Sequence, residues 1–385
     1  MKKLAIITTH PIQYYAPVFK LLYERQNIAI KVFYTWGERA LDKYDPGFGQ
    51  KITWDVPVLD GYPFEWVLNS AVEPGTHHYK GIINPGLTDQ LNVWHPDALL
   101  VYGWAYRGHL NAIRHFKNKI AVFFRGDSTL LDDKRGLKVI LKSIFLKWVY
   151  QHIDHAFFVG TNNKAYFKKY GLTNDQLSFA PHAVDNERFA ADQSDEALLL
   201  RQKLGLQETD ILILFAGKLE EKKSPLSLLN AFLAVHKQGV HLLFMGNGAL
   251  ENDLKIKANG AANVHFMDFQ NQLAMPAAYQ AADLFCLPSK GPGETWGLAI
   301  NEAMACGKAI LVSDKVGCAV DLVIENFNGA VFQSENIDDL TTKLDQLTSV
   351  KSKLAVYGAN SKTIIRDWNF LKIAEAIENK LNEKI

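Results

Sequence analysis

The residues best equipped for chemistry fall in one stretch, Leu287-Pro288-Ser289-Lys290-Gly291-Pro292-Gly293-Glu294-Thr295-Trp296-Gly297-Leu298-Ala299-Ile300-Asn301-Glu302-Ala303-Met304-Ala305-Cys306-Gly307. An apolar strand runs into a Gly-Pro-Gly loop, and the loop enters a helix that Gly307 can end. The amides of Thr295, Trp296, Gly297 and Leu298 are expected to point out of that helix N-terminus, where they can bind phosphate or another anion. Glu294, just before the helix, and Glu302, within it, flank the site. A carboxylate accepts two neighbouring hydroxyls at once, so two of them at different depths suit the ribose and hexose of a nucleotide sugar. The plainer alternative is that Glu294 favours the helix dipole and Glu302 lies on a solvated face.

A second stretch, Phe215-Ala216-Gly217-Lys218-Leu219-Glu220-Glu221-Lys222-Lys223-Ser224-Pro225, sits where another strand hands over to a helix. Lys218 and Lys223 can converge on a diphosphate beside the helix N-terminus at Ser224 and stabilise the charge on a departing nucleoside diphosphate. A solvated charge run is the bland reading. Other site types lack their signatures: there is no Asp-x-Asp pair, Walker loop, H-E-x-x-H or G-x-S-x-G. Gly246-Asn247-Gly248 lacks a third glycine, and His77-His78 has no further ligands at metal spacing, so both read as turn or loop. No metal site is expected.

These residues need strands and helices to position them. Apolar runs of strand length occur at Lys3 to Thr8, Ile28 to Tyr34, Ala98 to Tyr102, Lys119 to Phe124 and His155 to Val159. Helical spacing lies between them, at Ala16 to Glu24, Arg107 to Phe116, Gly136 to Gln151 and Asn162 to Tyr170. After Pro181 the pattern restarts, with a helix near Asp195 to Leu204 and strands at Ile211 to Ala216, His241 to Met245, Asn263 to Met267, Leu284 to Leu287 and Ala309 to Val312. Ser224 is the expected cap of the first helix after Ile211 to Ala216, and Gly239 is expected just beyond its end. Trp368 to Leu381 reads as a terminal amphipathic helix. Ligands of such parallel sheets sit outside the carboxyl ends of the strands, so residues that follow strands carry the function.

In the first half those are His10, after the first strand, and Arg125 and Asp127, after Phe123-Phe124. His10 or Asp127 can orient or deprotonate an acceptor hydroxyl; a packed histidine, and a cap or Arg125 partner, are the alternatives.

The chain of 385 residues is long enough for about two domains, and 48% apolar with 22% charged residues fits globular folding. With 42 basic against 41 acidic residues, no nucleic-acid partner is expected. Cys286, Cys306 and Cys318 form neither a disulfide framework nor a zinc pattern, and the apolar run Leu4 to Ile7 is too short for a signal peptide, so a cytoplasmic setting is expected.

The segment from Glu294 to Glu302, continued as Glu-Ala-Met-Ala-Cys-Gly to Gly307, resembles the signature of the family 4 retaining glycosyltransferases of GT-B fold, the glycosyl transferases group 1. Gly217-Lys218 with Lys223 resembles their diphosphate clamp. Pro181-His182-Ala183-Val184-Asp185 with Arg188-Phe189 resembles their interdomain segment, and Gly317, Asp321, Asn328 and Gly329 fit the later part of the pattern. The likeness covers most of residues 176 to 333. It implies an α/β, GT-B fold of two Rossmann-like domains facing across a cleft, an acceptor domain over 1–188, a donor domain over 189–366, and a terminal helix, 367–385, returning to the first domain.

By that resemblance Glu294 contacts hydroxyls of the transferred sugar and Glu302 the ribose. Gly217, Lys218, Lys223 and the segment Thr295, Trp296, Gly297, Leu298 complete the donor site, and transfer proceeds with retention and without a cofactor or divalent metal. Lys218 stands where arginine is commoner, and Thr295-Trp296 where Gly-Phe or Ser-Phe is, which points to a differently shaped sugar subsite. The glycine-rich loop of the family after its first strand is replaced by Thr9-His10-Pro11-Ile12-Gln13-Tyr14-Tyr15.

The expected activity moves a sugar from a nucleoside-diphosphate sugar, a UDP sugar by resemblance, to a hydroxyl of a glycan or lipid-linked acceptor. The basic amphipathic segment 136–151, with Lys138, Lys142 and Lys147, suits a peripheral contact with an anionic membrane at its cytoplasmic face. A nucleotide-sugar epimerase of the same architecture and a catalytically silent nucleotide-sugar-binding protein are the competing readings.

Overall fold

The computed structural model describes all residues except Lys43, 46–49, Ile52, 134–135 and 384–385. Side chains of residues 39, 42, 44–45, 50–51 and 137–138 also lie outside the description. The chain divides into two compact units, one made of Met1–Lys43, Val56–Pro181 and Phe370–Ile385, the other of Tyr44–Asp55 and His182–Asn369.

Unit 1 holds seven parallel strands: β1 (Lys3–Thr8), β2 (Ala29–Tyr34), β3 (Phe64–Trp66), β4 (Ala98–Tyr102), β5 (Ala121–Arg125), β6 (His155–Phe158) and β7 (Leu177–Phe179), in the order β3-β2-β1-β4-β5-β6-β7. In β4 and β5 every residue is buried, because helices cover both faces of a parallel sheet and alternation disappears. The expected strands are present within a residue or two. The edge strands β3 and β7 were not expected, since each has only three residues, with none buried, and so no apolar run. The last helix, Phe370–Asn382, belongs to this unit and buries Ile373, Ala374, Ile377 and Leu381. Its Glu378, 4% exposed, takes Arg25 Nε at 2.9 Å and Asn27 Nδ2 at 2.9 Å, which fixes it to the helix Ala16–Arg25 and the turn that follows.

Unit 2 holds six parallel strands: β8 (Ile211–Ala216), β9 (Val240–Met245), β10 (Val264–Met267), β11 (Leu284–Leu287), β12 (Ala309–Ser313) and β13 (Gly329–Phe332), in the order β10-β9-β8-β11-β12-β13. This is the Rossmann order, with its reversal between β8 and β11. Its core joins Ile213, Phe215, Leu228, Phe244, Cys286, Leu311 and Leu344. The helix after β8 spans Pro225–Val235, with two differences from expectation. Ser224 stands at the cap position but in the left-handed region at φ 54°, so its hydroxyl meets Ser227 Oγ at 2.9 Å instead of a backbone amide. The helix ends at His236, also left-handed at φ 47°, and Gly239 serves the turn into β9.

Two α/β units with parallel sheets and a helical C-terminus are the make-up expected of a GT-B fold.

Candidate functional site

The donor-side residues of the sequence analysis gather at the carboxyl ends of β8, β11 and β12 in unit 2. Glu294 is only 8% exposed, and its Oε2 receives Lys223 Nζ at 2.5 Å and Ser289 Oγ at 2.8 Å. Ser289 is fully buried, and its carbonyl accepts the hydroxyl of Ser313, the last residue of β12. The loops after β8 and β11 are tied together as well: Lys290 N donates to Lys222 O at 2.9 Å, and Lys290 Nζ pairs with Glu221 at 2.8 Å. Lys223 therefore reaches the carboxylate predicted to hold the sugar. Three ammonium donors and the lone pairs of a carboxylate leave both groups capacity for a ligand while paired.

Glu302 is 4% exposed and accepts the Tyr279 hydroxyl at 2.7 Å on its Oε2, so it is not a residue of a solvated helix face. Nothing in the spacing flagged Tyr279, which lies on the helix Met275–Ala281. Ser289 was visible five residues before Glu294 but carried no sign of its role. Gly217 lies at φ 150° and Lys218, half-buried, follows it. A Cβ at Gly246 would sit 2.1 Å from Gly217 O, which explains a glycine in the turn after β9.

The helix begins at Leu298, with Gly297 as cap at φ 97°. Thr295 and Trp296 precede it, so the amides at its mouth are those of Leu298 and Ala299, Ile300 N being bonded to Gly297 O at 2.9 Å. The mouth is held by the segment after β12, where Gly317 N donates to Glu294 O and Cys318 N to Trp296 O, each at 3.0 Å. A Cβ at Gly317 would stand 1.8 Å from Thr295 O, so only glycine permits the approach. Gly307 ends the helix at φ 72°, with Gly307 N on Met304 O and Lys308 N on Ala303 O, the paired bonds of a Schellman cap.

Two expected site residues are used differently. The Trp296 side chain is turned inward. It is 4% exposed, lies between His182 at 5.6 Å and Trp368 at 5.1 Å, and donates Nε1–H to the buried Asn301 at 2.8 Å. Arg125 is not an open acceptor contact. It is 3% exposed, and its guanidinium donates to Ala180 O and Pro181 O, both at 2.7 Å, because the carbonyls of the two residues that follow β7 need partners.

In unit 1, His10 is half-buried, its Nδ1 is 2.8 Å from Thr9 Oγ1 and its ring meets Trp36 edge-on at 5.3 Å. Asp127 is half-buried near Tyr15, whose phenol is pushed up by burial first and by the Asp127 charge second. Beneath them lies His109, fully buried on the helix Arg107–Phe116, which the sequence analysis did not single out. Its Nδ1 donates to Gly103 O at 2.8 Å and its Nε2 faces Thr35 Oγ1 at 2.7 Å, joining the ends of β4 and β2. Burial pushes its imidazole down to about 4, so it is neutral at pH 7.

Residues 198–363 match the family described as Glycosyl transferases group 1. Among curated relatives, the D-inositol 3-phosphate glycosyltransferase of Rhodococcus erythropolis is 26% identical over 226 residues, covering 56% of this chain and 50% of that protein. A GDP-mannose-dependent alpha-(1-6)-phosphatidylinositol monomannoside mannosyltransferase of Mycolicibacterium smegmatis is 25% identical over 215 residues, 53% of this chain and 56% of that protein. The chain thus spans about half the length of the curated relatives it matches. Among solved structures, Anabaena HepE in complex with UDP and glucose superposes over 100% of both chains, with a TM-score of 0.72 and 17% identity. Sucrose-phosphate synthase of Thermosynechococcus elongatus covers 99% of this chain and 98% of its own at a TM-score of 0.73 and 15% identity.

Proposed function

We propose that the protein is a retaining glycosyltransferase that moves a sugar from a UDP sugar to a hydroxyl of a glycan or lipid-linked acceptor. The observation that carries this reading is Glu294, a buried carboxylate held by Lys223 and Ser289 inside the segment that matches the glycosyl transferases group 1. In this reading Glu294 accepts hydroxyls of the transferred sugar and Glu302 those of the ribose. The amides at Leu298 and Ala299 hold the phosphates. Lys218 and Lys223 offset the negative charge that grows as the bond from the anomeric carbon to the diphosphate breaks. The acceptor oxygen bonds to the same face of that carbon, and His10 and Asp127 are the candidates to take its proton. The two lysines supply the positive charge, so a divalent metal is not part of the proposal. A UDP sugar is favoured by the likeness to a protein seen with UDP and glucose; the GDP-mannose of one relative is the competing donor.

The test is a mass-spectrometric screen of the purified protein against UDP, GDP and ADP sugars in EDTA, followed by NMR of the anomeric proton of any product. Retention of a UDP sugar and a product with the anomeric configuration of the donor are expected. Inversion would overturn the retaining mechanism. An altered sugar nucleotide without acceptor would reveal an epimerase, and binding without turnover a silent protein.

The same proposal includes a cytoplasmic location with peripheral contact to an anionic membrane. Among the described residues no helix is long and apolar enough to cross a membrane. The helix Leu137–Tyr150 nevertheless leaves Ile140 56%, Leu141 67%, Ile144 63% and Phe145 42% exposed, with Lys142 and Lys147 exposed on the same helix. The side chains of Leu137 and Lys138 lie outside the described residues. Such a stripe with basic flanks fits a lipid surface. Flotation with vesicles containing phosphatidylglycerol at low salt is expected, and its absence would remove the membrane contact.

A further inference from the structure

The loop that carries Glu294 is anchored from its inner side by Trp296. The indole lies between His182, the first residue after the chain passes from unit 1 at Pro181, and Trp368, the last but one before it returns at Phe370. Its Nε1–H goes to Asn301 Oδ1 at 2.8 Å, and Asn301 Nδ2 goes on to His182 O at 3.0 Å. The two passages are also stitched to each other, since Asn186 Nδ2 donates to Ile365 O at 3.1 Å and to Trp368 O at 3.2 Å. The backbone carbonyl of Trp296 accepts Cys318 N at 3.0 Å, beside the bond from Gly317 N to Glu294 O.

Burial alone asks for one partner for the indole N–H. Here that partner is itself a link. Asn301 is fully buried, with its oxygen on Trp296 and its nitrogen on His182, so neither contact breaks without leaving a buried polar group unpaired. Close-packed rings joined by satisfied hydrogen bonds shift together instead of deforming one by one. A ligand that moves the 294–298 segment therefore moves the packing of His182 and Trp368. By reciprocity, a change at Trp368 alters the affinity of the loop for that ligand.

We infer that Trp296 is a positioning residue that links the donor loop to these two passages of chain, so that nucleotide occupancy and the packing of His182 and Trp368 depend on each other. The inference rests on the transferase reading, in which the phosphates of the donor lie on the amides at Leu298 and Ala299, directly after Trp296-Gly297. It also gives a use to the indole N–H, which phenylalanine, commoner at this place in the resembled family, does not have.

The experiment is fluorine NMR of the full chain labelled with 5-fluorotryptophan, titrated with UDP and with GDP. The Trp368 resonance is assigned by its loss in Trp368→Phe. It is expected to move as nucleotide saturates the wild-type protein, although Trp368 has no contact with the nucleotide in this reading, and to stay fixed in saturated Trp296→Leu. Calorimetry reads the opposite direction. Trp368→Leu should weaken the nucleotide about fivefold, and Trp368→Phe, which keeps a ring against Trp296, should restore most of the affinity. A Trp368 resonance that ignores a bound nucleotide would overturn the inference alone, and this needs only the wild-type protein. An equal response in Trp296→Leu, or wild-type affinity in Trp368→Leu, would overturn it as well. Binding of neither UDP nor GDP would remove the transferase reading and the inference with it.

Discussion

In unit 2 the strand Leu284–Leu287, beside the first strand of its sheet, leads to Glu294, a buried carboxylate gripped by Lys223 and Ser289. In unit 1 the strand in the same topological place, Ala98–Tyr102, leads to Trp104 and Tyr106, both half-buried rings. The two sheets share the order of their first six strands, so both present loops at the same ends. Unit 2 shapes those loops by close backbone approach, with glycines where a Cβ would strike a carbonyl. Unit 1 shapes them by packing rings and by burying Arg125 and His109 beneath them. Shared topology fixes where a ligand can sit, and the side chains at the strand ends decide which ligand does.

The largest expected effect would break the unit 2 half of this contrast. Gly317→Ala puts a methyl group onto Thr295 O, and relief requires moving the 294–298 segment. A loss of about 3 kcal/mol or more in thermal or urea unfolding is expected, together with loss of nucleotide retention. A wild-type melting curve would show that the close approach is dispensable.

The matching change in unit 1 is Arg125→Met, which leaves the carbonyls of Ala180 and Pro181 without their donors. Destabilisation of about 3 kcal/mol is expected from two charge-assisted bonds, with UDP affinity by calorimetry intact. A stable variant that loses acceptor turnover would return Arg125 to the acceptor site.

Glu294→Ala sharpens the donor side. Turnover should fall on the order of a hundredfold, with some loss of stability because Lys223 and the buried Ser289 hydroxyl lose their partner; a near-native rate in the folded variant would remove the carboxylate from the reaction.

The smallest effect concerns pH. His109 titrates at about 4 in the folded chain against an ordinary value of 6.5, because burial disfavours the imidazolium. The unfolded chain then binds the proton first, so stability is fully present above about pH 6.5 and declines as the pH falls towards 4. Between pH 6.5 and 5 the loss attributable to His109 is about 2 kcal/mol. His109→Gln should reduce the slope there, the rest coming from His155, which burial also pushes down to about 4, and an unchanged slope would deny His109 its part.

Much of unit 2 was legible in the sequence because its signals are local. A strand, a glycine loop, two glutamates and a closing glycine lie within 21 consecutive residues, from Leu287 to Gly307, and fully buried strands announce themselves as apolar runs. Short edge strands such as Phe64–Trp66 have no such run. The inward turn of the Arg125 and Trp296 side chains was not legible: a polar or aromatic side chain next to a site looks the same in sequence whether it turns outward to a ligand or inward to an orphan carbonyl or another ring.

By itself the sequence determined two α/β units, the strands of their sheets apart from short edge strands, the loop that carries Glu294, and the helix that carries Glu302. Those follow from periodicity and from glycine and proline chemistry, which act over a few residues. Only the tertiary structure decided that Lys223 reaches Glu294 across 71 residues, that Tyr279 holds Glu302, and that Arg125 and His109 support strand ends from below. It also assigned Tyr44–Asp55 to unit 2, where Asn271 Nδ2 bonds Thr53 O at 2.7 Å. These are pairings between segments far apart in the chain, and no local propensity encodes which buried donor meets which acceptor until the sheets bring them together.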